Sequence, residues 1–167
     1  MENKHIKDSG EKREFETGAH RDGGVEDKAM PIALPMDVVA EVMDDDVLRE
    51  IGQFVRDHDT AHVIRAIRLI CEKCPEWENM PLAMMDVSFH YKEGGKKYGL
   101  GNWTYGMPIE VYFESGMRHY LKWLGGMTDE PHHRAAVWNL LNLVWTWEHV
   151  PNSKEEFAKR MAEIWHN

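Results

Sequence analysis

The chain has 167 residues, 43% of them hydrophobic, which is enough to bury one sizeable core but not two. We therefore expect a single helical domain over residues 30–167, preceded by an arm over residues 1–29. The formal net charge of -9, from 29 acidic and 20 basic side chains, disfavours a nucleic-acid duplex or an anionic membrane as partner. A polyphosphate can enter such a field when divalent cations accompany it, which is a first indication of a metal.

The two cysteines, Cys71 and Cys74, stand at CxxC spacing within an apolar pattern that predicts a helix. Buried free thiols on one helical turn are one interpretation, and a redox or zinc site is the other. The first is favoured because the sequence has no second CxxC. We also expect neither a signal peptide nor a membrane span. These features favour the reducing cytoplasm.

The arm over residues 1–29 is charged and rich in glycine, and it shows neither the helical nor the strand period. We expect such a segment to be extended or disordered by itself. Docking remains open to it, and we expect it to close over a ligand or a neighbouring subunit.

The rest of the sequence predicts an all-α protein, a compact helical bundle with a central helical hairpin, because strand patterns are nearly absent. Asp59 is placed to cap one helix, which ends before Pro75 because the residue preceding a proline disfavours the helical conformation. In chain order, the predicted helices cover about residues 35–46, 47–55, 60–73, 82–98, 108–124, 130–148 and 153–165.

The segment around His58, Asp59 and His62 admits a second interpretation, as the His-Asp pair of metal-dependent phosphohydrolases. Such enzymes need further histidine and aspartate ligands from other helices, and the sequence offers none at a convincing position. Helix capping by Asp59 is therefore the preferred interpretation.

The predicted hairpin of residues 108–148 is the most informative segment, because polar side chains fall where core residues are expected. On its first helix Glu110, Glu114, Met117 and Leu121 share one face, so two carboxylates lie on an apolar stripe. Burying a carboxylate is costly unless it is paired or bound to a metal. The stripe therefore predicts a functional site.

The second helix of the hairpin repeats this arrangement, with His132, Ala136 and Asn139 on one face. A turn at residues 125–126 brings Glu114 roughly level with Asn139. A helix N-terminus disfavours a cation, so His132 is expected to be neutral and able to bind a ligand, although simple exposure is the alternative.

A second polar block precedes the hairpin. Two glycines, residues 94–95, each cost about 1 kcal/mol inside a helix relative to alanine, which indicates close approach of a backbone or a ligand. Lys96 and Lys97 can bind phosphates, and Tyr98 or Trp103 can stack on a base. Because adjacent helical positions point about 100° apart, one lysine is expected to face the site, and we favour Lys97. A solvated basic helix end is the alternative.

Three separated blocks resemble, in order, the small phage and bacterial proteins of the dATP/dGTP diphosphohydrolase N-terminal domain family. They are REFETGAHRD at residues 13–22, YKEGGKKYGLGNW at 91–103, and ESGMRHYLKWLGGMTDEPHHRAAVWNLL at 114–141. The resemblance covers the first thirty residues and about residues 87–145, and residues 44–80 look like an insertion. Gly95 stands where alanine is usual, and Pro131 stands where an acidic residue is often found.

The resemblance implies hydrolysis of dATP or dGTP to the monophosphate and pyrophosphate, as in the all-α nucleotide pyrophosphohydrolases. The E-E-x-x-E and E-x-x-D ligand signature of those enzymes is missing from this chain. A nucleotide-binding protein that sequesters its ligand without chemistry is the competing interpretation. A third, an assembly protein, draws on the seven tryptophans and eleven methionines.

Under the enzyme hypothesis, carboxylates hold Mg²⁺ or Mn²⁺, and the residues proposed as ligands are Glu110, Glu114, Asp129 and Glu130. The expected catalytic residues, which would act on the attacking water or on the leaving group, are Glu114, His119 and His132. The expected substrate-binding residues are cations, aromatic rings and amides, namely Arg21, Lys96, Lys97, Tyr98, Asn102, Trp103, Arg118 and Asn139. The expected partners are the nucleotide and further copies of the chain in a homo-oligomer.

Overall fold

A computed structural model describes residues 10–23 and 28–165, and 70% of the model is helical, which confirms the predicted all-α class. The helices of these ranges are α1 (Met36–Met43), α2 (Asp46–Asp57), α3 (Thr60–Lys73), α4 (Met80–Tyr98), α5 (Ile109–Leu124), α6 (His132–His149) and α7 (Ser153–Trp165). Short 3-10 turns cover Pro31–Ala33 and Asn102–Tyr105. Across the described ranges, none of the helices has both the length and the apolar character needed to cross a membrane.

Side-chain caps fix several helix boundaries. Asp59 accepts a hydrogen bond from the backbone N–H of Ala61 at 2.9 Å, so the predicted cap of α3 is confirmed. Helix α4 begins at Met80, two residues before the predicted start, because Asn79 caps it through the N–H of Leu82. Because the Asp59 side chain caps α3, the structure favours the capping interpretation over a metal-binding His-Asp pair at His58 and Asp59.

The centre of the molecule is the hairpin of α5 and α6, with α3 and α4 packed on α6 and α7 packed on α5. The two helices approach closely at Gly116, where an added Cβ atom would lie 3.3 Å from Cβ of Asn139. Tyr112, Met117 and Leu140 are fully buried along this contact. The sequence predicts that Glu114 and Asn139 lie at about the same height in the helical hairpin. The contact between Gly116 and Asn139 agrees with that alignment.

The described part of the arm folds into an antiparallel hairpin of β1 (Lys12–Glu14) and β2 (His20–Asp22), with Arg13 opposite Arg21. Residues 1–9 and 24–27 lie outside the described residues. Residues 12–14 and 20–22 have extended backbone, but their pairing into a β-hairpin is a feature that the sequence did not predict. The sequence pattern is weak because the strands are short and anchored by single buried residues, Phe15 and Ala19.

Three hydrogen bonds dock this β-hairpin on the loop before α5. The hydroxyl of Thr17 donates to the carbonyl of Gly106 at 2.6 Å. The Asn102 side chain accepts from the N–H of His20 at 2.8 Å and donates to its carbonyl at 2.9 Å. These contacts join residues more than eighty positions apart in the chain and place β2 beside α4 and α6.

Two other features of the sequence, the histidine near Asp59 and the CxxC pair, lie in or next to α2 and α3. His62 contacts Glu50 at 2.6 Å and Asp57 at 3.1 Å. Cys71 and Cys74 are buried and free, and burial raises the pKa of both thiols, to about 11 for Cys71. The interpretation as buried free thiols is therefore confirmed.

Candidate functional site

A cavity of about 1190 Å³ lies between the β-hairpin and helices α4, α5 and α6. Its wall combines cationic side chains, carboxylates and aromatic rings. The cations are Arg13, Arg21, Lys28, Arg118, Lys122 and Arg160. The aromatic side chains of Tyr91, Tyr98, Trp103 and Trp138 line other parts of the wall. The cavity is larger than most small-molecule sites, which span about 300–1,000 Å³.

Arg21 projects from β2 into the helical core. Its Nη2 donates to Oδ1 of Asn139 at 2.7 Å, and the amide of Asn139 is itself held by the carbonyl of Ala135 at 2.8 Å. The guanidinium lies 5.8 Å from the ring centroid of Trp138. Burial is the main cause that lowers the pKa of Arg21 to about 10. Asn139 thus fixes the direction of a cation that burial disfavours.

Three buried polar atoms around the cavity have no hydrogen-bond partner among the described residues. They are Nη1 of Arg21, Nδ1 of His90 and Nε1 of Trp138, and all three residues line the cavity. Burial lowers the pKa of His90 to about 3, so this imidazole is neutral. Unpaired buried donors and acceptors are rare in native proteins, so three in residues of one cavity wall are an unfavourable feature of this part of the structure.

Four cations lie close enough to repel one another on one side of the cavity. Partial burial lowers the pKa of Lys28, and the charges of Arg118, Arg21 and Lys122 lower it further. Arg118 donates to Glu114 at 2.7 Å and to the carbonyl of Ala29 at 3.0 Å. The carboxylates of Asp22 and Glu114 lie among these positive charges, so cations are concentrated here although the whole chain carries a net charge of -9. Such a region attracts anions.

The two lysines proposed for phosphate binding do not line the cavity. Lys97 pairs with Asp22 of β2, and the hydroxyl of Tyr98 donates to the same carboxylate. Lys96 pairs with Glu93 at 3.0 Å and is largely exposed to solvent. Both lysines are thus held in ion pairs away from the cavity wall, and the partner of Lys97 comes from the docked arm, which the spacing within α4 does not reveal. Their role in substrate binding stays a prediction.

Asn102 and Trp103 have different roles in the structure. Both polar atoms of the Asn102 side chain bond to the backbone of His20, so this amide holds the arm in the structure, and base recognition by it stays a prediction. Trp103 packs edge-on against Tyr91 and Trp145, with ring centroids 5.7 Å and 4.9 Å apart, and lines the cavity. It remains available for stacking.

The four carboxylates proposed as metal ligands fall into two groups. Glu110 and Glu114 lie on α5, and burial raises the pKa of each. Asp129 and Glu130 lie in the turn before α6 and contact histidines instead. Among the described residues, the cluster with ligand-like spacing comprises His119, Glu130 and His132. The expected four-carboxylate centre is not assembled, because Glu114 is paired with Arg118 and the turn directs its acids toward the imidazoles.

The histidine cluster joins the two helices at their turn. Nδ1 of His119 lies 3.0 Å from Nδ1 of His132, and Nε2 of His132 lies 2.9 Å from Asp129. The His132 side chain is fully buried and does not line the cavity, whereas His119 does. His119 is therefore the imidazole of this pair that reaches the cavity, and the catalytic role of His132 stays a prediction. Burial, with the neighbouring His132, holds the pKa of His119 well below its usual value.

Several residues of the cavity wall escaped the sequence analysis. Lys122 follows Arg118 at i+4, a spacing that could have revealed it. Arg13 lies opposite Arg21 in the β-hairpin, which a strand pattern in the arm would have indicated. Arg160 comes from α7, and nothing in the local sequence connects it to α5.

Fold and cavity together define a small α-helical protein with an internal site of mixed charge. A family model described as dATP/dGTP diphosphohydrolase, N-terminal, matches residues 61–158, and the chain belongs to this family. Searches of curated proteins and of solved structures return no significant match. The family match includes residues 61–80, which we had placed in an insertion, and it does not include the first thirty residues.

Proposed function

We propose that the cavity binds a deoxypurine nucleoside triphosphate and, with a divalent cation, hydrolyses it to the monophosphate and pyrophosphate. The observation that carries this proposal is the group of cations around Lys28 on the wall of a cavity that aromatic rings and carboxylates also line. The family name supports a nucleotide of this class.

The cations are suited to the triphosphate. Lys28, Arg118 and Lys122 line the cavity together with Arg21. A polyphosphate there would accept charge-assisted hydrogen bonds and remove the repulsion among these side chains. Phosphate binding would thus relieve one cost of the unliganded protein, the concentrated positive charge.

The aromatic wall is suited to the base. Trp103 is held edge-on by Tyr91 and Trp145, so one face can stack on a purine without reordering the side chain. The volume of about 1190 Å³ accommodates a triphosphate together with its sugar and base.

Hydrolysis requires a water oxygen to attack the α phosphorus while the bond to the α–β bridging oxygen breaks. Glu114 is the proposed proton acceptor, because burial raises its pKa toward the range useful for a general base. Arg118 and Lys28 would stabilise the charge on the departing pyrophosphate.

Glu110 lines the cavity and is the proposed carboxylate ligand for Mg²⁺ or Mn²⁺. Magnesium is commonly held by one or two carboxylates together with substrate phosphates, so a four-carboxylate centre is not required. Once bound, the ion would polarise a phosphate oxygen and the attacking water.

A panel of ribo- and deoxyribonucleoside triphosphates, incubated with the full chain and Mg²⁺ or Mn²⁺, tests this proposal. We expect chromatography to show a monophosphate and pyrophosphate from dATP or dGTP. Glu114→Gln should abolish turnover while circular dichroism stays unchanged, and the exposed Lys92→Ala serves as the control. Equal turnover in Glu114→Gln and the parent protein contradicts the role of Glu114.

Nucleotide binding without hydrolysis is the second candidate function. The division of the proposed carboxylate ligands into two groups favours it, since the catalytic centre expected from the sequence is not assembled. The same assay separates the two functions. Calorimetric binding of dATP or dGTP with no product after prolonged incubation would select sequestration.

A further inference from the structure

We propose that His119, Glu130 and His132 form a binding site for a transition-metal ion where α5 and α6 meet. Two imidazole nitrogens and one carboxylate oxygen would be its ligands, with further coordination positions open toward the cavity. This inference goes beyond the proposed hydrolysis, because it stands on the donor atoms alone.

The three donor atoms form a triangle of suitable size. Nδ1 of His119 and Nδ1 of His132 are 3.0 Å apart, and Oε1 of Glu130 lies 3.6 Å and 3.5 Å from them. A point about 2 Å from all three atoms exists beside this triangle, which matches zinc bonds of about 2.0–2.2 Å to nitrogen and oxygen. The side chains therefore already stand at positions that a bound ion would require.

A network of hydrogen bonds is a weaker account of this geometry. The two nitrogens can share one proton at 3.0 Å, but Oε1 of Glu130 lies outside the normal hydrogen-bond range of both. A carboxylate recruited only for hydrogen bonding would move toward one imidazole. Nearly equal distances to both nitrogens are what a central ion produces.

Asp129 supplies the support that such sites commonly have. Its Oδ1 lies 2.9 Å from Nε2 of His132, so a proton on Nε2 leaves the Nδ1 lone pair directed at Glu130 and His119. Metal-ligating histidines usually donate their second N–H to a carboxylate or carbonyl in this way. His132 is fully buried and Glu130 is nearly so, and both are held before any ion arrives.

The ligand types select the class of ion. Two imidazoles and one carboxylate suit zinc, iron, cobalt, nickel or manganese, whereas magnesium and calcium prefer oxygen ligands. His119 lies at the cavity wall, so a water or a phosphate oxygen can complete the coordination. A nucleotide in the cavity would thus reach this ion, although that step rests on the proposed function.

Titration of the untagged full chain with Co²⁺, after stripping with a chelator, tests the site. We expect saturable binding of one ion per chain, visible d–d absorption bands that Zn²⁺ abolishes, and a raised melting temperature. His119→Ala should remove the bands, and Asp129→Asn should weaken binding about 10–100-fold. His62→Ala is the matched control, because His62 contacts two carboxylates but is not in a cluster with ligand-like spacing.

Absence of saturable Co²⁺, Zn²⁺ and Mn²⁺ binding overturns the proposal, as does binding that His119→Ala and Glu130→Gln leave unchanged. Both variants alter side chains at or near the cavity wall, and their circular dichroism establishes that they fold. Metal binding without nucleotide turnover would leave the site standing and contradict only the hydrolytic function. Turnover with Mg²⁺ in the absence of any transition-metal binding would contradict the transition-metal site and leave the hydrolytic function standing.

Discussion

Helices α1–α3 and the cavity region place their polar groups in opposite ways. In α2 and α3 the fully buried side chains are mostly apolar, as at Ile51, Phe54 and Ile70, and Arg49 pairs at the surface with three carboxylates. Around the cavity, Arg21 has a buried donor without a partner, and His132 and Asn139 are buried.

The comparison shows that helices α1–α3 stabilise the fold, whereas the polar groups around the cavity lower its stability. Apolar burial contributes about 25 cal/mol per Å², and exposed ion pairs add little. An enclosed cation with an unpaired donor is unfavourable, so its presence indicates a role that folding alone does not supply. We infer that ligand binding, rather than packing, explains the composition of the cavity wall.

The largest effect on stability is expected from Phe54→Ala. Phe54 is fully buried and stacks on Phe157 with ring centroids 5.7 Å apart, so its loss should lower the free energy of unfolding by about 3–5 kcal/mol. Urea denaturation measures this change. Triphosphate affinity of the folded fraction should stay unchanged, and a matching loss of affinity would show that the two regions are not separable.

Arg21→Met should have the opposite profile. Removing a charge-assisted contact to phosphate is expected to weaken binding of a non-hydrolysable dATP or dGTP analogue by about 1.5–3 kcal/mol, which is roughly 10–150-fold. The free energy of unfolding should fall only by about 1–2 kcal/mol, because removal of an unfavourably buried cation offsets part of the loss of its hydrogen bond to Asn139.

Arg49→Met is the matched control for this comparison. It removes an arginine that holds three carboxylates at the surface of the other region. Isothermal titration calorimetry should show parent-like affinity. Equal losses in the two variants would mean that the net charge of the protein, rather than the cavity, governs nucleotide binding.

A smaller effect is expected from Glu110→Gln, measured as stability against pH. Burial raises the pKa of Glu110, so the folded protein holds this proton more tightly than the unfolded chain does. That stabilising contribution is present below the unfolded pKa of about 4.3 and is lost as the pH rises through the folded value. The glutamine variant should therefore be more stable than the parent at neutral pH, and the difference should shrink on acidification. A constant difference across this range would assign the effect to packing.

Most helices could be predicted from the sequence because their signals are local. The Asp59 cap, the apolar period of α3 and the break before Pro75 each depend on a few neighbouring residues. The β-hairpin could not be predicted, since its strands have three residues each and their hydrogen bonds reach Asn102 and Gly106. Long-range pairing leaves no trace in local periodicity.

The sequence predicted the kinds of side chain at the candidate site better than it predicted which of them contact one another. The inward face of α5 correctly drew attention to Glu110 and Glu114, which line the cavity with Arg118. The ion-pair partners of the predicted site residues could not be predicted in the same way. Lys97, for example, is held by Asp22, which lies on a strand 75 positions away. Charge on a helix face can be recognised from spacing, whereas the choice between pairing and ligand binding depends on which distant element docks there.

The long sequence separation of the β-hairpin contacts has a consequence for the order of folding. Thr17 and Gly106 are 89 positions apart, and Arg21 and Asn139 are 118 apart, whereas α2 and α3, or α5 and α6, join through short connections. Closing large loops costs entropy before any contact repays it. We expect the helical pairs to form first and the β-hairpin to dock late. The wall carrying Arg21 is then completed only in the last stage of folding, so a partly folded chain would lack the complete cavity.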